Sequence, residues 1–108
     1  MKDSKAELWS PAAKQDLRDI YLYYARLASP EVAFNLLQEI ERAVAHIADR
    51  HAEFRDRDDI IPGMRGVSVR PYIVFYRIAQ EGPQIVRVLH ERQDIDATFS
   101  AQGVQRGA

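Results

Sequence analysis

Two apolar stripes with helical spacing occupy the first half of the chain. Each follows a serine–proline pair, Ser10-Pro11 and Ser29-Pro30, in which serine is a favoured helix cap and proline fits the first helical turn. The stripes comprise Ala13, Leu17, Ile20, Tyr24 and Leu27, and then Ala33, Leu36, Leu37, Ile40, Val44 and Ile47. Steps of three and four residues are typical of the buried face of a helix. Because almost no linker separates the two segments, they are predicted to form an antiparallel helical hairpin.

The second half changes to short runs that are typical of β-strands. These runs are residues 67–69, 72–78 and 85–89. Glu81-Gly82-Pro83 joins the last two as a hairpin, Leu8 adds a first strand at an edge, and the charged residues 49–63 form a connector. The predicted fold class is therefore α+β in the order β-α-α-β-β-β. A two-helix antiparallel hairpin packs on one face of a small antiparallel sheet.

Length and charge limit the kinds of protein this chain can be. At 108 residues it is expected to form a single domain, residues 1–99, followed by a disordered polar tail, residues 100–108. A formal net charge of −1 weakens the electrostatic case for non-specific nucleic-acid binding. Residues 62–93 nevertheless carry five arginines against two glutamates. Arginine suits bidentate contacts, so this segment is the place to expect a partner.

The chain contains no cysteine, which excludes disulfides, cysteine-ligated zinc, iron–sulfur clusters and thiol nucleophiles. His46 and His51 are five residues apart rather than the four that place two ligands on one helix face. No cofactor or metal is therefore expected. Charged residues near the start interrupt any signal-like apolar run, and no stretch approaches the length of a membrane span. A soluble, cytoplasmic protein is expected.

Candidate catalytic groups stand at the end of the last predicted strand. His90, Glu91 and Arg92 could in principle supply an acid, a base and a phosphate clamp for RNA cleavage. Neighbouring strand residues point to opposite faces, however, so His90 and Glu91 would not meet one substrate unless the strand bends. A polar strand end with local ion pairs is the favoured interpretation. No Gly-rich phosphate loop or nucleophile elbow is present.

The order and spacing of these segments resemble the RelE/ParE superfamily of bacterial toxins, and specifically its ParE branch. The similarity spans about residues 7–94, and its most specific part is the strand pair RPYIVFYRI (70–78) and IVRVLH (85–90). The opening LWSPAA (8–13) also looks like the family's first strand and helix. The resemblance implies a toxin of a type II toxin–antitoxin system that poisons DNA gyrase and serves plasmid or chromosomal-segment maintenance. It implies neutralisation by direct binding of a ParD-like antitoxin, and an inhibitor rather than an enzyme.

Two alternatives remain open from the sequence. The RelE branch comprises ribosome-dependent mRNA endonucleases with the same fold, which need basic residues on the sheet and a late Tyr or His as acid or base. This chain has Ile73 where those nucleases resemble one another in carrying Arg, and its late aromatic residue, Phe99, cannot transfer a proton. His90 alone keeps the nuclease interpretation open. The other alternative is a non-toxic homologue that still binds its antitoxin.

The resemblance also suggests where partners bind. An antitoxin segment is expected to fold on binding and to lay an amphipathic helix across the helical hairpin, giving a hetero-oligomer. A strand of the antitoxin along a sheet edge is the further contact considered. The residues expected to bind the antitoxin are Tyr21, Tyr24, Phe34, Leu37, Arg65 and Arg70. Those expected to bind the target are Arg70, His90 and Arg92. Arg77 and Arg87 lie mid-strand and are expected to be tied into the structure. Truncation after Leu89 is expected to abolish growth inhibition but to retain antitoxin binding.

Overall fold

A computed structural model describes residues 9–50, 55–56 and 62–101 of the chain. The elements are α1 (Pro11–Leu27), α2 (Pro30–Arg50), β1 (Arg55–Asp56), β2 (Arg65–Val69), β3 (Tyr72–Ala79), β4 (Gly82–His90) and α3 (Ile95–Ala101). The two long helices pack against each other and on one face of the sheet. This arrangement confirms the predicted α+β fold of a helical hairpin on an antiparallel sheet.

Both serine–proline pairs start helices in the way that the sequence predicts. The Ser10 hydroxyl accepts a hydrogen bond from the amide of Ala13 at 3.0 Å, and Pro11 is the first residue of α1. The Ser29 hydroxyl accepts from the amide of Val32 at 3.1 Å, immediately before α2. Each cap satisfies an amide that has no partner within its helix. Ala28 and Ser29 alone separate α1 from α2, so the two helices form a tight hairpin.

The sheet is an antiparallel meander in the order β1-β2-β3-β4, with β3 at its centre. A bulge interrupts the β3–β4 pairing, because Phe75 lies opposite Arg87 whereas the next residue, Tyr76, lies opposite Ile85. Val86 is thus the extra residue on β4. A bulge changes the local twist and redirects the side chains beside it. Arg87 is the strand residue that directly follows the bulge.

The sheet separates two apolar cores. The helix-facing core contains the buried residues Ala13, Ile20, Ile40, Val44, Ile47, Tyr72, Val74, Tyr76, Ile85 and Val88. The second core, on the opposite face, contains Met64, Phe75, Val86, Leu89 and Phe99. Phe99 comes from α3, is fully buried, and meets the Phe75 ring edge to face with 5.5 Å between ring centroids. The short C-terminal helix therefore covers a face that the helical hairpin leaves open.

Several local predictions differ from the structure. The stripe of α1 ends sooner than expected, since Leu27 is 65% exposed, and Ile78 at the end of β3 is 46% exposed. The expected connector contains the two-residue strand β1, which pairs with β2. Helix α3 was not predicted, and its residues Ser100 and Ala101 lie where the polar tail was expected.

Other predictions concern residues that lie outside the described part of the chain. Leu8, expected at a sheet edge, is among them, although its neighbour Trp9 forms an isolated parallel bridge with Ile85. His51 and residues 102–108 also lie outside. Ser100 and Ala101 are the last residues of α3, so the expected boundary at residue 99 falls inside that helix. The extent of the domain stays a prediction.

Phe99→Ala is expected to lower the free energy of unfolding by ~3–5 kcal/mol, because it leaves a cavity beneath α3. Urea denaturation measures this effect, with Ser100→Ala, an exposed change in the same helix, as the control. Equal stability of the two variants would show that α3 does not support the core. Truncation after Leu89 removes Phe99 too, so it would not separate a loss of target contact from a loss of stability.

Candidate functional site

A buried ion pair joins the first helix to the outer edge of the sheet. Asp16 of α1 is 8% exposed, and its two carboxylate oxygens accept hydrogen bonds from Nε and Nη2 of Arg87 at 2.7 and 2.6 Å. The backbone amide of Val88 donates to the same carboxylate at 2.9 Å. The hydrogen bond with Asp16 raises the pKa of Arg87 above its ordinary value. The expectation that Arg87 is tied into the structure agrees with this geometry, whereas Arg77 is exposed.

The rest of this sheet edge is also covered by the chain's own polar groups. The Ser10 amide donates to the carbonyl of Ile85 at 2.9 Å, and the Ser10 hydroxyl donates to the carbonyl of Val86 at 2.8 Å. Further along, the side-chain oxygen of Gln93 accepts from the amide of His90 at 3.1 Å. Strand addition needs unpaired backbone groups along an edge. The stretch of β4 from Ile85 to His90 therefore offers a poor template for a partner strand.

An open cleft of about 370 Å³ lies beside this edge. It is lined by residues of α1, of β3, of the last part of β4 and of the turn that follows β4: Asp16, Asp19, Ile20, Tyr23, Tyr72, Arg87, Val88, Leu89, His90 and Gln93. The α1 residues recur at helical spacing, so one face of that helix forms a wall. The opposite wall contains the Tyr72 ring, which meets the His90 ring edge to face at 5.3 Å. Burial, followed by a hydrogen bond with Tyr24, raises the pKa of Tyr72.

The imidazole ring of His90 accepts a hydrogen bond from the chain's own backbone. Its Nδ1 accepts from the backbone amide of Arg92 at 3.1 Å. An imidazole nitrogen accepts a hydrogen bond through its lone pair, so this bond occupies Nδ1. Glu91 is engaged elsewhere, because it pairs with Arg70 at 3.4 Å. His90 and Glu91 are thus not brought together as an acid–base pair.

The residues expected to bind the target lie at one end of the sheet. Tyr72 pairs with His90 across β3 and β4, Arg70 precedes the first of these strands, and Arg92 follows the second. Arg92 is exposed, and the Arg70 side chain is 78% exposed despite its ion pair. A pair so exposed holds its partners weakly. Both guanidinium groups are therefore accessible to a partner.

The residues expected to bind the antitoxin differ in their exposure to solvent. Phe34 is 56% exposed, whereas Tyr24 and Leu37 pack against the helix-facing core and Tyr21 is half-buried. Arg65 is half-buried on β2 opposite Tyr76. Burial raises the pKa of Tyr76, and the positive charge of Arg65 opposes that shift. Phe34 is therefore the most accessible apolar member of the expected set.

Sequence reasoning missed most of the exposed apolar surface. Five large apolar side chains, each at least 46% exposed, lie near the turn of the helical hairpin: Leu22, Tyr23, Leu27, Val32 and Phe34. We call this set the hairpin-tip patch. Among the described residues, Ile78 is the other large apolar side chain with such exposure. Exposed apolar side chains near a helix turn are candidates for an interaction site. The sequence signal that could have found this surface is the presence of apolar residues outside the predicted buried stripes of the two helices.

Other classes of site find little support in the described part of the chain. No group of three or more potential metal ligands occurs there, and His46 is an exposed residue of α2. Among the described helices, none is long and apolar enough to cross a membrane. The candidate interaction surfaces of the described residues are therefore the hairpin-tip patch, the cleft and the arginines at the sheet end.

Comparisons with known proteins bear on what these surfaces do. The family model described as the ParE toxin of the type II toxin–antitoxin system, parDE, matches residues 8–95. The chain is 35% identical over 94 residues to Toxin ParE1 of Mycobacterium tuberculosis, which covers 86% of this chain and 96% of that protein. It is 36% identical over 67 residues to Toxin ParE3 of Caulobacter vibrioides, covering 62% of this chain and 67% of that protein.

A solved structure is similar as well. A chain of the chromosomal ParDE toxin–antitoxin system from P. aeruginosa superimposes with a TM-score of 0.69 at 27% sequence identity. The superposition covers 76% of this chain and 90% of that one.

Asp16→Ala is expected to lower the free energy of unfolding by ~3–5 kcal/mol, because it leaves the Arg87 guanidinium and the Val88 amide without their buried acceptor. Asp19→Ala, an exposed change in the same helix, is the control and should cost under ~0.5 kcal/mol. Urea denaturation of both variants measures the difference. Equal effects would mean that the ion pair does not hold α1 to the sheet.

Proposed function

We propose that this chain, which belongs to the ParE toxin family of type II toxin–antitoxin systems, poisons DNA gyrase when free and is neutralised by a ParD-like antitoxin. The observation that carries the proposal is the family match over residues 8–95. The activity is inhibition rather than catalysis. It stabilises the complex of gyrase with cleaved DNA and takes place in the cytoplasm, without a cofactor.

The hairpin-tip patch supports recognition of the antitoxin by a helix. An amphipathic helix that folds on binding needs an exposed apolar surface, and the patch supplies one on the outside of α1 and α2. Strand addition along β4 from Ile85 to His90 is disfavoured, because Ser10, Asp16 and Gln93 already occupy backbone groups there. The antitoxin therefore docks on the helical hairpin.

The sheet end supports a separate contact with the target. Arg70 and Arg92 are exposed there, beside His90, and they are remote in sequence from the hairpin tip. Arginine makes directed contacts with acidic protein surfaces and with phosphates, both of which a gyrase–DNA complex presents. We assign these residues to target binding.

The surroundings of His90 favour inhibition over RNA cleavage. Its Nδ1 lone pair is occupied by a backbone amide, so this nitrogen is not available as a general base. The charged groups lining the cleft are Asp16, Asp19 and Arg87, which leave a net negative charge that repels phosphate. Ile73 and Phe99, at the positions expected to differ from the nucleases, both belong to the second core.

The direct test incubates the purified chain with gyrase, ATP and supercoiled plasmid, beside a translation reaction in which mRNA integrity is followed. Cleaved plasmid should accumulate while mRNA stays intact. Combining Arg70→Glu with Arg92→Glu should reduce the cleaved DNA about tenfold, because each reversal introduces repulsion at the contact. Arg42→Glu, an exposed change on α2, should leave it unchanged.

The other outcomes point to different functions. Ribosome-dependent cleavage of mRNA with intact plasmid would place the chain among the nucleases. No effect in either reaction would leave a non-toxic antitoxin-binding homologue.

Phe34→Ala is expected to weaken antitoxin binding about tenfold, because it removes an aromatic anchor from the hairpin-tip patch. Titration calorimetry with the antitoxin encoded beside this chain measures the change. Ile78→Ala is the matched control, since it truncates an exposed apolar residue on the sheet. If both variants bind as tightly as the unaltered chain, the antitoxin does not use the patch.

A further inference from the structure

The cleft beside β4 combines a negative field with aromatic walls, and most of its polar groups already have partners. Both oxygens of Asp16 are used by Arg87 and Val88. The side-chain amide of Gln93 bonds to the His90 backbone and to Thr98. Asp19 is different, because it is exposed and only its Oδ1 accepts a bond, from Gln15 at 2.9 Å, within the described residues. Its second oxygen is therefore available to a ligand.

The charges of the cleft select a cation. Asp16 and Asp19 contribute two negative charges to the lining, and Arg87 contributes one positive charge. The remaining net negative charge attracts a positively charged group and repels phosphate or carboxylate. Because the Arg87 guanidinium is held by Asp16, the attraction is centred on Asp19.

The aromatic residues select a guanidinium among cations. Tyr23 follows Asp19 by four residues on α1, so the two side chains share one helix face. Tyr23 is 57% exposed, which leaves part of its ring accessible. A planar guanidinium can stack on such a ring while it donates a hydrogen bond to the available oxygen of a nearby carboxylate. A lysine ammonium is a compact, strongly hydrated charge that lacks this geometry.

We propose that this cleft receives an arginine side chain of the antitoxin, which bonds to Asp19 and stacks on Tyr23. Tyr23 belongs to both the cleft and the hairpin-tip patch, so a helix that contacts Tyr23 lies beside the cleft. The inference rests on the proposed function, because it assigns the occupant to the antitoxin. It adds a charge-specific contact to an apolar interface, and such contacts discriminate between related partners.

The first test compares Asp19→Asn with the unaltered chain in titrations with the antitoxin encoded beside it. Asparagine keeps the acceptor for Gln15 but removes the charge, and binding should weaken about fivefold, as expected for a partly exposed ion pair. Asp49→Asn, an exposed change at the far end of α2, should leave affinity unchanged. Equal affinities of the two variants would overturn the proposal.

The second test examines the chemistry of the cleft without the antitoxin. N-acetyl-arginine amide, added at millimolar concentration, should shift the ring resonances of Tyr23 and His90 in NMR spectra. The neutral citrulline analogue should not shift them, and Asp19→Asn should abolish the arginine response. Equal responses to both probes, or an unchanged response in Asp19→Asn, would overturn a guanidinium site.

The two tests separate this inference from the proposed function. If the unaltered chain forms no complex with the antitoxin, the proposed function fails and the antitoxin is not the occupant. The arginine probe still decides whether the cleft binds a guanidinium. If the complex forms and Asp19→Asn binds normally, the proposed function stands and the inference fails.

Discussion

The Asp16 carboxylate accepts three N–H groups of β4, two from the Arg87 guanidinium and one from the Val88 backbone, and the placement of the helical hairpin depends on this contact. Asp16 is 8% exposed, so its charge is stable there only because all three donors are in place. The bulge at Val86 lies directly before Arg87 on this edge strand. Ser10 reinforces the junction, because its hydroxyl caps α1 and also bonds to β4. Helix start and sheet edge are thereby fixed together.

This junction divides the molecular surface between different uses. The outer edge of β4 is occupied by the chain's own side chains, so it is protected from strand addition. Apolar surface is instead exposed near the hairpin turn, at residues such as Leu27 and Phe34. The cleft with Asp19 lies beside the junction, and the exposed arginines Arg70 and Arg92 flank the sheet end. The proposed antitoxin contact rests on the apolar surface, and the proposed target contact rests on the arginines.

The sequence predicted most of the fold, because local signals specified it. Ser10 and Ser29 cap the helices, and the change from helical to strand periodicity marks the sheet. The pairing of Asp16 with Arg87 could not be predicted, since 71 residues separate them and the sequence pattern does not reveal the bulge beside Arg87. Phe99 was not recognised as core because its burial depends on a tertiary contact with Phe75. Residue type alone does not show that Phe34 is exposed whereas Tyr24 packs against the core; this difference depends on the tertiary structure.

Backbone hydrogen–deuterium exchange, compared between the free chain and its complex with the antitoxin, tests the division of the surface most directly. If the surface is divided in this way, amides of residues 20–37 gain protection from exchange on binding, because an antitoxin helix covers the hairpin tip. Amides of residues 85–90 should change little, because that edge is already occupied by Ser10, Asp16 and Gln93. Protection concentrated at residues 85–90, with exchange unchanged at the hairpin tip, would contradict this division of the surface.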